Sequence, residues 1–407
     1  MRAITARLSV MMFLQFFIWG CWFVTLGTFL AANFQATGAQ TGLAFSTQSW
    51  GAIIAPFIIG LIADRYFNAE RILAVLHLVG AVLMYQMFRA QDFTQFYPYV
   101  LAYMIAYMPT LALVNSISFR QLTDPSRQFS LVRVWGTIGW IVAGLVISYV
   151  FHWDSPDAKA AGALRNTFLL GAVVSTALAL FSFTLPATPP TAKGGPFSLR
   201  AALGLDALKL LKDRNFLMFF ISSVLICIPL AFYYQNANLF LTEIGTENAT
   251  GKMTIGQISE FAFMLLLPVF LLRFGIKVTL LVGMLAWAVR YALFAYGGQD
   301  NNTVLLLVGI ALHGICYDFF FVSGQIYTDS KAGEHYRSAA QGMITLATYG
   351  VGMLVGFSAA GAIADRFNVN GHHDWFHIWI YPAAFAALIL VLFALLFRNE
   401  AISYKSR

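Results

Sequence analysis

The sequence predicts an all-α membrane protein of twelve spans divided six and six, and three observations carry that prediction. Of its 407 residues, 59% are hydrophobic and only 11% charged, with a mean hydropathy of +0.72. A soluble chain of this length has too little interior to hide so much apolar surface. Apolar runs of about 20 residues, long enough to cross roughly 30 Å of hydrocarbon as helix, recur from one end to the other. Finally, the segments between these runs alternate between rich and poor in Lys and Arg, as the loops of a multi-pass protein do.

Span one is expected over 8–32. It is longer than the apolar core of a cleavable signal peptide and contains Gln15, Trp19 and Trp22, so it reads as uncleaved. Spans two to six follow over 45–64, 72–88, 95–119, 131–151 and 166–185. The longest polar interruption, 186–214, contains Pro186, Pro189, Pro190, Lys193, Gly194, Gly195 and Pro196 and reads as a linker. Its second half, Leu199 to Lys212, sets apolar residues at helical spacing between basic ones, as in a short helix lying on the membrane surface. Spans seven to twelve are expected over 215–241, 254–272, 276–297, 303–327, 338–364 and 376–397. The expected organisation is a first six-helix bundle over 1–185, a cytoplasmic linker over 186–214, and a second bundle over 215–407.

Placing the N-terminus in the cytoplasm puts eighteen Lys and Arg residues inside and five outside (Arg89, Lys159, Arg165, Lys252 and Arg366), with two inside spans. That bias predicts an even number of spans and both ends in the cytoplasm. The excess charge of +7 and pI near 9.3 are therefore explained by topology, and no nucleic-acid partner is expected. Cys21, Cys227 and Cys316 all fall within spans at no metal or redox spacing and read as small apolar fillers. There is no Walker loop, no His-Glu-x-x-His and no dinucleotide fingerprint, so neither an enzyme nor a cofactor is expected. Uphill movement of a solute would have to be driven by an ion gradient.

Four ionisable side chains lie inside the spans: Arg133, Glu260, Arg290 and Asp318. A charge at that depth is expensive unless it faces a protein interior or a wet cavity, and such residues commonly mark the path of an ion or polar solute. Arg133, Thr137 and Trp140 share one face of span five at i, i+4 and i+7. Gln257 and Glu260 are i, i+3 neighbours on span eight, where a carboxylate can accept two hydrogen bonds from a vicinal diol. Tyr317 and Asp318 sit deep in span ten, and Asp318 is the acid on the shortest tether, suited to a fixed partner such as Arg133. His313, one turn before Tyr317, reads as a hydrogen-bonded packing residue. Span seven carries Pro229 and then the polar run Tyr233-Tyr-Gln-Asn-Ala-Asn238, while Pro109 precedes Asn115, Ser116 and Ser118 in span four. Proline removes an amide donor and kinks a helix, which suits spans that open a cavity to alternate sides. Gln15, Trp19 and Trp22 of span one are further candidates for its lining.

Gly60-Leu-Ile-Ala-Asp-Arg-Tyr-Phe-Asn68 is echoed by Gly361-Ala-Ile-Ala-Asp-Arg-Phe-Asn368, at the ends of spans two and eleven, as inverted repeats would produce. Six plus six spans and a central basic loop together resemble the major facilitator architecture. Gly60, Asp64, Arg65 and Arg71 resemble its motif between spans two and three, which implies an inner gate. In that architecture spans three, six, nine and twelve pack outside the cavity, so the resemblance assigns Arg290 a structural role.

Several segments are similar to the bacterial nucleoside:proton symporters of that superfamily. They are Phe13-Leu-Gln-Phe-Phe-Ile-Trp-Gly-Cys-Trp22, Tyr107-Met-Pro-Thr110, Val132-Arg-Val-Trp-Gly-Thr-Ile-Gly139 and Gln257-Ile-Ser-Glu260. Arg273-Phe-Gly-Ile-Lys277, Arg290-Tyr-Ala-Leu-Phe-Ala-Tyr-Gly297, Tyr317-Asp-Phe-Phe320 and Ala339-Ala-Gln-Gly342 continue the series in the same order. The resemblance implies nucleoside uptake driven by protons through a multi-pass protein of the bacterial cytoplasmic membrane, with a monomer expected. It carries the binding positions onto Arg133, Thr137, Gln257, Glu260 and Asp318, with Trp140 and Tyr317 as the aromatic ones. Asp318, Glu260 and Arg133 are the expected coupling residues. In span seven, Ala231 and Tyr234 stand where the family has Gln and Asn, and Gln235, Asn236 and Asn238 are the neighbours that could compensate. A sugar or nucleobase facilitator is the alternative, because Gln257, Glu260 and Trp140 would also suit a hexose. A passive membrane scaffold fits poorly with four charges in the bilayer.

Overall fold

The computed structural model describes residues 2–59, 66–123, 125–190 and 205–400. They form two compact units, Met1–Ser198 with Glu247–Gly251, and Leu199–Thr246 with Lys252–Arg407. The gate motif at Gly60, Asp64 and Arg65, and most of the linker, lie outside the described residues.

In the first unit, span one is helix Arg2–Phe23 followed by Leu26–Phe34, and span two is Gly38–Ile58. Ala69–Arg89, Phe93–Gln121, Pro125–Leu145 and Asn166–Ser182 form spans three to six. Helix starts are closed by side chains that satisfy the orphan amides of the first turn. Thr37 and Gln40 form a reciprocal capping box, and Asp92 accepts from the Gln95 N–H at 2.9 Å. Val75, Val79 and Val82 stand exposed on span three, as on a lipid-facing stripe.

A polar network crosses the interior of this unit. Gln15 Nε2 donates to Thr110 Oγ1 at 2.7 Å, while its Oε1 lies 2.8 Å from His77 Nε2. His77 Nδ1 is 3.1 Å from Ser175 Oγ, and the Tyr107 hydroxyl donates to the Gln15 carbonyl at 2.7 Å. Four spans are stitched together by this network. Trp22, expected at the cavity or the interface, is instead wholly buried against Tyr103 and Phe168. An indole packed edge to face against these rings is core, not lining.

In the second unit, Arg214–Glu243 is span seven, started by Asp213, which accepts from the Phe216 N–H at 2.9 Å. Spans eight and nine are one continuous element, Ala249–Gln299, turned at Gly275, whose φ of 73° and ψ of 175° no other residue type adopts readily. Span ten is assembled from Thr303–Ala311, His313–Cys316, a π-helical stretch Tyr317–Val322 and the start of Ser323–Thr345, which breaks at Gly333. Span eleven continues through a second π stretch, Leu346–Gly352, into Met353–Arg366, and span twelve is Trp375–Leu396.

Among the described residues, ten helical segments are long and apolar enough to cross a membrane. One of them, Ala249–Gln299, contains two spans, and Gly38–Ile58 supplies the twelfth, its hydropathy diluted by Gln40, Thr41, Ser46, Thr47 and Gln48. The fold is an all-α membrane bundle. Two details differ from the sequence reading. The surface helix is a 3₁₀ helix, Leu205–Lys212, turning Ala207 inward and leaving Leu208 exposed. A two-residue hairpin, Asn368–Val369 with His372–His373, caps the start of span twelve.

Candidate functional site

Span ten in the second unit is built to carry chemistry. Its helix is interrupted at Leu312, and Ser259 of span eight fills the interruption. The Ser259 hydroxyl is shared between the carbonyls of Gly256 and Ala311, at 2.9 and 2.6 Å, and accepts the Gly314 N–H at 2.9 Å. Gly314 permits this approach, because a Cβ there would lie 2.5 Å from the Glu260 nitrogen. The two backbones touch, so Glu260 and the segment beginning at His313 are held in register.

The π-helical turns that follow redirect the side chains. A π turn inserts one residue into the α ladder and recurs at functional sites. Asp318 is the second residue of this stretch and is fully buried, with neither carboxylate oxygen meeting a hydrogen-bond partner among the described residues. Glu260 is half-buried and close enough to Asp318 for the two charges to interact. Tyr317 stacks on His313 with ring centroids 6.0 Å apart, and its hydroxyl lies 3.1 Å from that of Tyr349 in the second π stretch. Tyr234 is half-buried and within electrostatic reach of Tyr317 and Glu260. Gln257 is half-buried one helical turn before Glu260.

Gln235 does not join this group. With its amide oriented to satisfy both ends, it donates to the Phe357 carbonyl and accepts from the Gly361 N–H, each at 3.2 Å. The expectation that it contacts substrate is corrected on that ground, since both of its polar atoms are spent joining spans seven and eleven.

Arg290 is not an isolated packing residue either. It is wholly buried, and its guanidinium carbon lies 3.5 Å above the Tyr233 ring. One of its nitrogens donates to His313 Nδ1 at 3.1 Å, and His313 Nε2 is 3.8 Å from a Glu260 oxygen. Sequence reasoning assigns Arg290 a structural role through its place on span nine and reads His313 as a packing residue, and nothing in it joins the two across 23 positions. Tyr349, in an unremarked Thr-Tyr-Gly run, was missed altogether.

In the first unit, Arg133, Thr137 and Trp140 are each half-buried on one face of span five. The Arg133 guanidinium lies 4.1 Å above the Phe16 ring of span one, a cation–π contact that orients it without discharging it. Trp140 meets Trp19 edge on, with ring centroids 5.5 Å apart, and Trp19 in turn meets Tyr107 at 5.7 Å. An arginine, a hydroxyl and an aromatic platform thus share one surface of this unit.

A multi-pass helical bundle with a buried carboxyl group on a π-helical stretch and a half-buried one beside it has the character of a membrane transporter. Comparison with known proteins gives the particular kind. The chain belongs to the family described as Nucleoside H+ symporter, whose profile matches residues 2–401. It is 45% identical to the putative nucleoside transporter YegT of Escherichia coli K12, over 97% of this chain and 94% of that protein. It is 34% identical to the xanthosine permease of the same organism, over 96% and 95% of the two chains. The crystal structure of the nucleoside transporter NupG superposes with a TM-score of 0.86 at 31% identity, covering 98% of this chain and 100% of that one. The chain is accordingly a nucleoside transporter coupled to proton symport, and not an enzyme.

Proposed function

We propose that this protein imports nucleosides across the bacterial cytoplasmic membrane as a monomer, by alternating access, with both termini in the cytoplasm. Bundles 1–185 and 215–407 would move about the linker 186–214, with Gly60, Asp64 and Arg65 closing the inner side. The residues proposed to contact substrate are Arg133, Thr137 and Trp140 in the first unit and Tyr234, Gln257, Glu260, Tyr317 and Asp318 in the second. Glu260 and Gln257 hold ribose hydroxyls, while Trp140 and Tyr317 stack on the base, contacts that contribute about 1–3 kcal/mol per base in nucleic-acid sites. Proton coupling falls to Asp318 and Glu260, with Arg133 as the fixed positive charge.

The observation that carries this reading is Asp318, a fully buried carboxyl group with neither oxygen satisfied among the described residues. A group so enclosed exchanges a proton only when its surroundings change, which is the linkage a symporter requires. Purified protein in liposomes should accumulate labelled uridine or adenosine when the outside is acidic, and an uncoupler should abolish accumulation. Failure with every nucleoside, alongside uptake of a hexose or nucleobase, would overturn the assignment of the binding residues to a nucleoside.

A further inference from the structure

Span eight begins differently from its neighbours. Thr37, Asp92, Asp213 and Asn302 each close the first turn of the helix they precede. Asn248 precedes Ala249–Gln299 but has a φ of 51°, in the left-handed region, whereas a capping residue is normally extended. Amides of this first turn are met instead from far away in the chain. The Thr250 N–H donates to Asp154 Oδ2 at 3.2 Å, and the Gly251 N–H donates to Ser148 Oγ at 2.7 Å. The Ser148 hydroxyl in turn donates to the same Asp154 oxygen. A serine of span five and an acid of the connection after it thus act as one cap, and a carboxylate at a helix start is also favoured by the helix dipole.

The span-five side of the cap is preformed. Ser148 lies in the π-helical stretch Val146–Val150, and the Trp153 N–H returns to the Ile147 carbonyl at 3.1 Å, with His152 left-handed at a φ of 52° before it. That corner folds Asp154 back onto Ser148, and both side chains are buried. Gly251 permits the close approach: a Cβ there would lie 2.5 Å from the Tyr149 ring and 3.0 Å from the Ser148 Cβ.

This is a poor design for a permanent brace. Asp154 Oδ1 has no hydrogen-bond partner among the described residues, and a half-satisfied buried carboxylate is a costly way to fix a joint that never opens. The groups that make the contact are polar and take up water on release, so the made and released states lie close in free energy. Chain grouping supplies the reason for release. Glu247–Gly251 groups with the first unit, while the same helix from Lys252 onward groups with the second. A first turn held by one unit, on a helix that runs on in the other, has to let go if the two move as alternating access requires.

We infer that Ser148 and Asp154 form a releasable cap, a latch on the start of span eight that is made and broken once in each transport cycle. The connections it joins follow spans five and seven, so both lie on the membrane side away from the N-terminus, the outer side in the proposed topology. With the latch made, the outer entrance is shut; release of Thr250 and Gly251 accompanies its opening. The inference rests on the reading of alternating access.

The test makes the latch covalent. Ser148→Cys with Gly251→Cys starts from a Cβ spacing of 3.0 Å, which has to widen by less than about 1 Å to reach that of a disulfide. The Tyr149 ring in the way is 48% exposed and can turn aside, and the native Cys21, Cys227 and Cys316 are buried. In proteoliposomes, oxidation with copper phenanthroline should cut uridine counterflow by about tenfold or more, because a crosslinked carrier cannot reach its second state. Dithiothreitol should restore it, and neither single variant should respond. Undiminished counterflow in crosslinked protein would overturn the latch, since a static brace loses nothing by becoming covalent. Wild-type protein gives a second measurement, which decides the question if the double variant does not fold or crosslink. While the carrier turns over with uridine on both faces, the Thr250 and Gly251 amides should exchange deuterium about threefold faster than without uridine. The Gln95 amide, capped locally by Asp92, should not respond. Equal exchange at Thr250 and Gly251 under both conditions would overturn the latch. Counterflow in wild-type protein marks alternating access itself: if it is absent, that reading falls and this inference with it, and if it survives crosslinking, only the latch falls.

Discussion

The hydroxyls of Tyr317 and Tyr349 lie 3.1 Å apart, and each tyrosine belongs to a π-helical stretch of its own span. The contact fixes the ring expected to stack on the base by joining two helices where both depart from α geometry. Tyr349→Phe removes one hydroxyl of the pair, worth about 1 kcal/mol and hence roughly a fivefold rise in nucleoside KM. Adding Tyr317→Phe should cost little more, since both changes break the same contact. Additive effects in uptake assays on the two single variants and the double would show that the hydroxyls act separately.

Glu260 tests the polar half of the proposed site. Glu260→Gln keeps the shape but replaces a charged acceptor, whose hydrogen bonds are about twice as strong as neutral ones, with an amide. Binding of nucleosides should weaken by about tenfold. Competition by unlabelled uridine against a labelled nucleoside reads this directly, and undiminished competition would remove Glu260 from the site.

The acids were legible because a charge inside an apolar run stands out from composition alone. Asp318 and Glu260 needed no geometry to be noticed. What the sequence could not show was pairing across spans. Arg290 and His313, or Gln15 and His77 at 62 positions apart, are joined by packing that has no sequence period. Helical spacing also assumes a straight α-helix, and the π stretches at Tyr317–Val322 and Leu346–Gly352 shift every later side chain around the axis. Gln235 misled for a related reason. A polar residue mid-span looks like a ligand contact, while its true partners are backbone groups of Phe357 and Gly361 that carry no sequence signature.

The Gln15–His77 contact at 2.8 Å makes a separate prediction about stability. Gln15→Leu leaves His77 Nε2 without its partner in a buried setting, at a cost of about 1–3 kcal/mol, while Thr110 Oγ1 keeps its bond to the Tyr107 carbonyl. His77→Leu should cost a similar amount. The double variant should be less destabilised than the sum, because no orphaned partner remains between them. Thermal melting of detergent-purified protein measures this, and additive losses would show that the two side chains are not coupled.

Asp213 lies outside the spans, capping span seven and contacting Lys331 at 3.0 Å. Burial pushes its carboxyl up, but the Phe216 N–H and the Lys331 ammonium outweigh that and hold it below its ordinary value of 3.8. A carboxyl depressed by folding contributes its full stability above the unfolded value, and that contribution fades as pH falls through the folded one. Asp213→Asn keeps the cap and loses only an exposed ion pair, so the cost at pH 7 should be under about 1 kcal/mol. Asp213→Ala loses the cap as well and should cost about 1 kcal/mol more. The gap between wild type and Asp213→Asn should narrow as the pH falls below the ordinary carboxyl value and close once it passes the depressed folded one, where the wild-type carboxyl is also neutral. A gap that persists or widens there would show that charge at this position is not what stabilises it.

Asp318 is the residue on which coupling stands or falls. Its carboxyl is buried without a partner among the described residues, and Glu260 is its acidic neighbour in the same unit. Replacing it with Asn keeps the volume and removes the exchangeable proton. Accumulation against a nucleoside gradient should therefore disappear, because nothing remains to tie substrate movement to the proton gradient. Counterflow, in which labelled and unlabelled nucleoside exchange without net proton movement, needs only binding and reorientation of the loaded carrier. It should survive in part in Asp318→Asn. Proteoliposomes loaded with unlabelled nucleoside and assayed with and without an imposed pH gradient separate these two activities. If both vanish together in protein that still binds nucleoside, Asp318 is required for reorientation itself, and the coupling proton must be carried elsewhere.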